Sequence, residues 1–430
     1  MNKKKLNRVP ILVLLALSIA IGTVGCAQPS AYAEEAKSDL DRVSSPSVGA
    51  SDLEKLVEGN SAFALDLYQA LREQGENIFY SPYSISIALA MTYAGARGET
   101  EAQMAETLHF LLSQDRLHPA FNALDLELSK LGENVAEEEG DPFRLNIANS
   151  IWGQQDFEFL SEFLDTLALN YGAGLRLVDF IEATEEARQA INQWVEDQTE
   201  DKIKDLIPQG VLDSMTRLVL ANAIYFNAGW MNPFEEGNTQ DSSFYLVDGS
   251  QVTVPFMSQE ENFRYAEGDG YQAVELPYVG GETSMVIFLP ARGELDAFEA
   301  GLNNAKVDEI LGNLEMQNVR LKMPKFEYES SFGLKETLSA MGMRDAFENA
   351  DFSGINGKKD LFISEILHKA FVSVDEEGTE AAAATAVIIS LTAMPEAPVE
   401  MTLDHPFIFM IRDNVSGTIL FMGRVMNPVN

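Results

Sequence analysis

A single cysteine, Cys26, is the whole thiol content of this 430-residue chain. No intramolecular disulfide can therefore form, and no paired-cysteine motif exists. Histidine is nearly as scarce: His109, His118, His368 and His405 are the only four. They include no His-Glu-x-x-His, and the chain also lacks a Gly-rich phosphate loop and a Gly-x-Ser-x-Gly nucleophile turn. Composition alone leaves a Ser-His-Asp arrangement around His405 open, but no sequence signature marks one. Basic residues number 30 against 67 acidic ones, a formal net charge of -37. A field of that sign repels nucleic acid, other polyanions and anionic membrane surfaces. What remains is a core: 46% of residues are hydrophobic and 9% aromatic, which excludes a wholly disordered chain.

The first 25 residues read as a targeting segment. Lys3, Lys4, Lys5 and Arg8 form a basic head, and Val9 to Val24 is almost wholly apolar, short of the ~20 residues that span a bilayer comfortably. Thr23-Val24-Gly25-Cys26 resembles the bacterial lipobox, with Thr23 standing where Leu is usual. The resemblance implies that residues 1–25 are removed as a lipoprotein signal peptide and that the Cys26 thiol is lipidated. An ordinary secretory signal with an incidental cysteine is the other reading. Ala27 to Ala50 is rich in Ser, Ala, Pro, Glu and Asp without an apolar period, so residues 26–52 read as a flexible tether. The expected location is extracytoplasmic, as a membrane-anchored lipoprotein of a bacterial cell envelope or surface.

Residues 53–430 show no fixed-period repeat and no interrupting linker, so one large α+β domain is expected. Leu56, Phe63, Leu67, Tyr68 and Leu71 recur at helical spacing, with Gly75 as a stop. Further helices are expected over 84–94, 101–108, 183–198 and 332–341. Strand signals cover 145–152, 218–226, 285–289, 319–323, 371–374, 407–411 and 418–423.

The most unusual stretch is Asp375-Glu376-Glu377-Gly378-Thr379-Glu380, then Ala381, Ala382, Ala383 and Ala384, then Thr385-Ala386-Val387-Ile388-Ile389. Propensity reads the alanines as a surface helix. A period of two reads differently. Thr379, Ala381, Ala383, Thr385, Val387 and Ile389 share one uncharged face, and Glu380 carries the only charge of the other. A segment of this kind fits both an exposed loop and a central strand, which makes it a switch.

The run Glu376 to Ala384 resembles the hinge of an inhibitory serpin, and further motifs of that family span Leu53 to Asn430. They include Asn77-Ile78-Phe79-Tyr80-Ser81-Pro82-Tyr83-Ser84-Ile85-Ser86, Leu218 to Phe226 with Gly229-Trp230, Val254-Pro255-Phe256-Met257 and Glu275-Leu276-Pro277-Tyr278. Leu321-Lys322-Met323-Pro324-Lys325-Phe326, His368-Lys369-Ala370, Asp404-His405-Pro406-Phe407 and Phe421-Met422-Gly423-Arg424-Val425 complete the set.

The resemblance implies a serpin fold of three β-sheets and about eight or nine helices, with an exposed reactive-centre loop at about 376–400. It also implies an irreversible trap for serine proteases rather than an enzyme, with no catalytic residue, cofactor or metal of its own. Ser81, Ser84, Asn222 and His368 would form the shutter beneath the central sheet. Trp230, Lys325 and Glu376 would form the breach where the loop first enters, with Glu376 paired to Lys325. Counting from Gly378 places the attacked bond at Thr392-Ala393, with Leu391 and Met394 as alternates. No Lys or Arg lies nearby, so elastase-like or subtilisin-like targets are expected. Asp125 and Glu127 beside a lone Lys130 make heparin an improbable partner, and a monomer is expected. The alternative is a non-inhibitory serpin-fold binding or chaperone protein, against which the small residues of the hinge argue.

Overall fold

The structure is a computed structural model that describes residues 34–132, 135, 144–379 and 397–429. Cys26, Glu380 to Ala384 and the expected reactive bond around Leu391, Thr392, Ala393 and Met394 lie outside the described residues.

The strands of the first half are β1 (Glu34–Ala36), β2 (Ile78–Tyr80), β3 (Arg144–Gln154), β4 (Leu175–Val178), β5 (Leu218–Gly229), β6 (Gln240–Tyr245), β7 (Gln251–Gly268) and β8 (Tyr271–Pro277). Those of the second half are β9 (Thr283–Pro290), β10 (Glu315–Pro324), β11 (Phe326–Gly333), β12 (Ile363–Val374), β13 (Gly378–Thr379), β14 (Val399–Thr402), β15 (Phe407–Asp413) and β16 (Ile419–Val425). The longer helices are α1 (Ala50–Leu71), α2 (Pro82–Tyr93), α3 (Gly98–Thr107), α4 (Gln114–Leu128), α5 (Ser161–Tyr171) and α6 (Thr184–Gln198). Shorter ones follow: α7 (Leu295–Ala300), α8 (Asn304–Gly312), α9 (Lys335–Met341) and α10 (Ser353–Asn356).

One sheet has the order β1-β4-β3-β5-β13-β12-β11. Its centre is β5, an almost unbroken apolar run, as a strand covered on both faces requires. Val219, Ala221 and Ala223 face a core shared with Ile191 and Val195 of α6. Leu218, Leu220, Ile224 and Phe226 alternate onto the main core with α1 and α2. Helix α2 is buried along its whole length, capped by the Ser81 hydroxyl accepting from the Ser84 amide and opened by Pro82.

The remaining strands run β14-β10-β7-β8-β9-β15-β16-β2, with β6 also on β7. Hydrogen bonding thus joins into one network what the family resemblance divides into two sheets. The link is β7, whose 18 residues pair β6 and β10 along most of their length and β8 at their end.

Among the differences from the sequence reading, three change how segments are used. Phe332 and Gly333 end β11 instead of opening a helix, because β11 alternates buried and exposed residues and stays paired to β12 as far as Gly333↔Leu367. Strand β12 starts eight residues earlier than its apolar signal, at Ile363. Glu365, His368 and Lys369 hide it in the sequence, yet each has a partner: Glu365 approaches Lys335 at 3.8 Å and the Lys369 Nζ donates to the Lys204 carbonyl at 2.9 Å. Finally, part of the stretch expected as a tether is built into the body. Glu34–Ala36 pairs with β4, the Ser38 hydroxyl donates to Asp165, the Val43 amide donates to the Leu169 carbonyl, and Arg42 reaches Asn122 and Asp125 of α4 at 2.8 and 2.7 Å. Backbone pairing and polar contacts hold this strap, so no apolar period announces it.

A buried ionic cluster ties α7 to the end of the chain. The Glu299 carboxylate accepts from Arg424 Nη1 at 2.9 Å and from the Tyr68 hydroxyl at 2.6 Å, and all three side chains are buried. Arg424 spends its remaining donors on the carbonyls of Arg72 and Glu76.

Candidate functional site

The site lies along the seam between β5 and β12. From Ile363↔Leu218 to Phe371↔Tyr225 these strands pair directly and in parallel. Beyond Tyr225 they separate, and β13 enters between them. Chain leaving β12 at Val374 turns over Asp375, whose carboxylate accepts from the amides of Glu377 and Gly378 at 3.0 and 3.3 Å. It returns antiparallel to both neighbours, with Thr379 opposite Val374 and Ala228, and Gly378 opposite Gly229.

Only glycine fits at 378. A Cβ there would stand 2.3 Å from the Ala228 carbonyl oxygen and 2.7 Å from the Gly229 Cα, both backbone atoms that cannot step aside. Thr379 is fully buried, its hydroxyl 2.9 Å from the Tyr278 hydroxyl. Tyr278 in turn stacks on Trp230, ring centroids 4.7 Å apart and planes within 8°. Trp230 holds the turn through its indole N–H, which donates to the Asp375 carbonyl at 3.0 Å, and its amide, which donates to Glu377 at 2.9 Å.

Glu376 is pinned beside it. Its carboxylate accepts from Lys325 Nζ at 2.5 Å and from the Thr239 hydroxyl at 2.6 Å. Burial alone would raise this carboxyl, but the hydrogen bonds from Lys325, Thr239 and the Glu376 amide outweigh it and hold it below the ordinary carboxylate value.

Further down the same seam, the structure brings Ser81, Ser84, Asn222 and His368 together. The Ser81 amide donates to His368 Nε2 at 3.2 Å. A backbone N–H can only donate, so Nε2 accepts and Nδ1 carries the proton that goes to Asn222 Oδ1. The Asn222 amide donates to Ser84 Oγ at 2.6 Å and to Asn149 Oδ1, and Asn149 donates to the Ser84 carbonyl at 3.2 Å. Asn149, on β3, belongs to this cluster although the sequence reading passed over it; only its β5 register, opposite Asn222, marks it.

Burial pushes His368 down to about 3 from the ordinary 6.5, and burial with Arg97 pushes His118 down to about 4. A folded value below the unfolded one gives stability that is present above about 6.5 and lost as pH falls toward 3 to 4. At pH 5 each histidine costs about 2 kcal/mol relative to neutrality. Thermal midpoints measured between pH 7.5 and 5 should therefore fall steeply, and His368→Gln should flatten roughly half of that fall. A flat wild-type profile would contradict the neutral, doubly bonded imidazole.

Beyond the loop, β14 pairs in parallel with β10 from Val319↔Val399 to Lys322↔Thr402, and Arg320 bridges Glu260 and Glu400 at 2.7 and 2.5 Å. His405 sits next, its Nδ1 2.7 Å from Asp404 and its Nε2 2.7 Å from the Pro290 carbonyl. Among the described residues, the Asp404 carboxylate and the Pro290 carbonyl, with no serine hydroxyl, are the hydrogen-bond partners of the His405 ring.

This architecture agrees with three comparisons. The family model described as Serpin (serine protease inhibitor) matches residues 58–428. Leukocyte elastase inhibitor A of Mus musculus is 43% identical over 396 residues, covering 87% of this chain and all of its own. An uncharacterised serpin-like protein of Thermococcus kodakarensis is 41% identical over 375 residues, covering 87% of this chain and 86% of its own. Among solved structures, the thermophilic serpin Tengpin in its native state superposes with a TM-score of 0.80 at 32% identity, covering 92% of this chain and all of that one. The chain belongs to the serpin family.

Proposed function

We propose that this protein is a single-use inhibitor of serine proteases that works by loop cleavage and strand insertion. A target protease would attack the loop near Thr392-Ala393 and form an acyl-enzyme. The amino-terminal limb would then extend β13 down the seam, converting the parallel β5–β12 contact into two antiparallel ones. The observation that carries this reading is β13 itself: two residues of the expected hinge already hydrogen-bond to both flanking strands. New ladder bonds contribute about 0.5–1.5 kcal/mol each. Summed over about ten residues they rival the ~5–15 kcal/mol stability of a whole domain.

The roles follow from position. Trp230, Tyr278, Lys325 and Glu376 would hold the entry, and Ser81, Ser84, Asn149, Asn222 and His368 would let the strands part without stranding a buried polar atom. The bait carries no Lys or Arg, and the similarity to leukocyte elastase inhibitors supports an elastase-like or subtilisin-like target. Lipidation at Cys26 and a cell-envelope location belong to the same proposal, as does a monomeric state.

Incubation with an elastase-like protease should give a complex that survives SDS, releasing a carboxy-terminal peptide that begins at Ala393. Quantitative cleavage without a complex would remove the trap and favour a binding role. A peptide starting elsewhere would move the bait but leave the mechanism. Processing sensitive to globomycin, with fatty-acid labelling lost in Cys26→Ala, tests the anchor.

A further inference from the structure

Strand β1 fixes the row of the sheet at which the described chain begins. Its register runs Glu34↔Leu177 to Ala36↔Leu175 on β4. Leu175 and Leu177 lie opposite Ile151 and Gly153 of β3, which lie opposite Leu220 and Leu218 of β5. Followed back from Ala36 to Glu34, the chain therefore runs along the sheet away from the hinge. Glu34 lies on the Leu218 row, ten residues below the Ala228 row where Thr379 sits. At about 3.3 Å per residue that is roughly 33 Å from the hinge.

The same arithmetic locates the end of an inserted strand. Gly378 faces Gly229 and Thr379 faces Ala228, so continuing the register one residue at a time brings Ile389 opposite Leu218. Thr392 would come out about three residues, or roughly 10 Å, further on. Four strand spacings separate the seam from β1 in the sheet order, about 19 Å in all.

We infer that the anchored side of the chain and the landing place of the trapped protease are one and the same pole. The inference rests on the proposed trap and on the proposed anchor at Cys26. In the structure the hinge stands at the pole remote from Glu34. After insertion the protease would be carried to the Glu34 side, from which the proposed anchor extends. Eight chain steps separate Cys26 from Glu34, a reach of at most about 28 Å. A protease of about 200 residues is on the order of 40 Å across, so it would be delivered against the bilayer that holds the inhibitor. Capture would then also be a change of location, from the face open to solvent to the face turned to the lipid.

The sole thiol allows a direct measurement. The chain from residue 26 onward, produced without lipidation, is labelled at Cys26 with a donor dye and mixed with an acceptor-labelled elastase-like protease. A protease whose catalytic serine is replaced by alanine cannot acylate and docks at the uncleaved loop, which sets the reference. The SDS-stable complex with active protease should show roughly two-fold or more higher energy transfer than that reference, given the lengths above. Equal or lower transfer in a complex that has formed would overturn the shared pole while leaving the trap intact. Failure to form the complex at all would fall on the trap reading instead. In a second arm, the Cys26 thiol is coupled to maleimide lipid in phosphatidylcholine vesicles bearing headgroup quenchers. The protease dye should be quenched more in the covalent complex than in the non-acylating reference, and the opposite order would overturn the inference. Absence of natural lipidation at Cys26 would remove the anchor but leave the energy-transfer result standing.

Discussion

Thr379→Arg is expected to turn the inhibitor into a substrate. Thr379 is wholly buried between β5 and β12, with its hydroxyl on Tyr278. A guanidinium at this position either enters the core without a counter-charge or pushes β13 out of the slot. An unpaired buried charge costs several kcal/mol, and 3–4 kcal/mol slows a step by about 10²–10³. Insertion would then lose its race with deacylation. The stoichiometry of inhibition should rise by at least an order of magnitude, and the SDS-stable band should give way to cleaved chain. Thr379→Val is the matched control: it keeps the shape, loses one hydrogen bond worth about 1 kcal/mol, and should still trap. Full inhibition by the Arg variant would show that the strand does not enter here.

The second large effect is expected far from the loop. Glu299→Ala removes the one carboxylate that, among the described residues, pairs with Arg424, whose side chain is 3% exposed. Its carbonyl partners at Arg72 and Glu76 remain, but no negative charge faces it. Breaking a buried pair from one side typically costs about 3–5 kcal/mol, a large share of a domain's ~5–15. The urea midpoint should fall sharply. Glu299→Gln restores shape and one acceptor, so it should recover part of the loss. A fall below about 1 kcal/mol in the Ala variant would mean that the charge had found water or another partner.

How much of this could be read in advance depended on the kind of interaction. The apolar strands β5, β9, β15 and β16 declared themselves because burial on two faces demands an unbroken hydrophobic run. The small residues Gly378 and Thr379 likewise announced a tight slot, and the backbone oxygen 2.3 Å from a would-be Cβ is the reason. Legibility failed where polar groups do structural work. Most of β12 was obscured by Glu365, His368 and Lys369, whose partners lie on other elements. The strap at 34–48 reads as a tether in composition because backbone pairing leaves no trace there. Asn149 carries no sequence signal because its importance comes from standing opposite Asn222 across a register that only the fold defines.

The seam can also be viewed as a fracture problem. Gly378 and Thr379 sit like a notch at one end of the β5–β12 contact, and the proposed insertion would advance from the notch tip one ladder row at a time. At the row Asn222↔His368 the advancing crack meets side chains bonded to the underlying helix at Ser81 and Ser84. Such a cluster arrests a crack until its bonds are exchanged. Under the proposed insertion the molecule would be brittle along one line and tough at one point on it, closed until the loop is cut and then opened in a single direction.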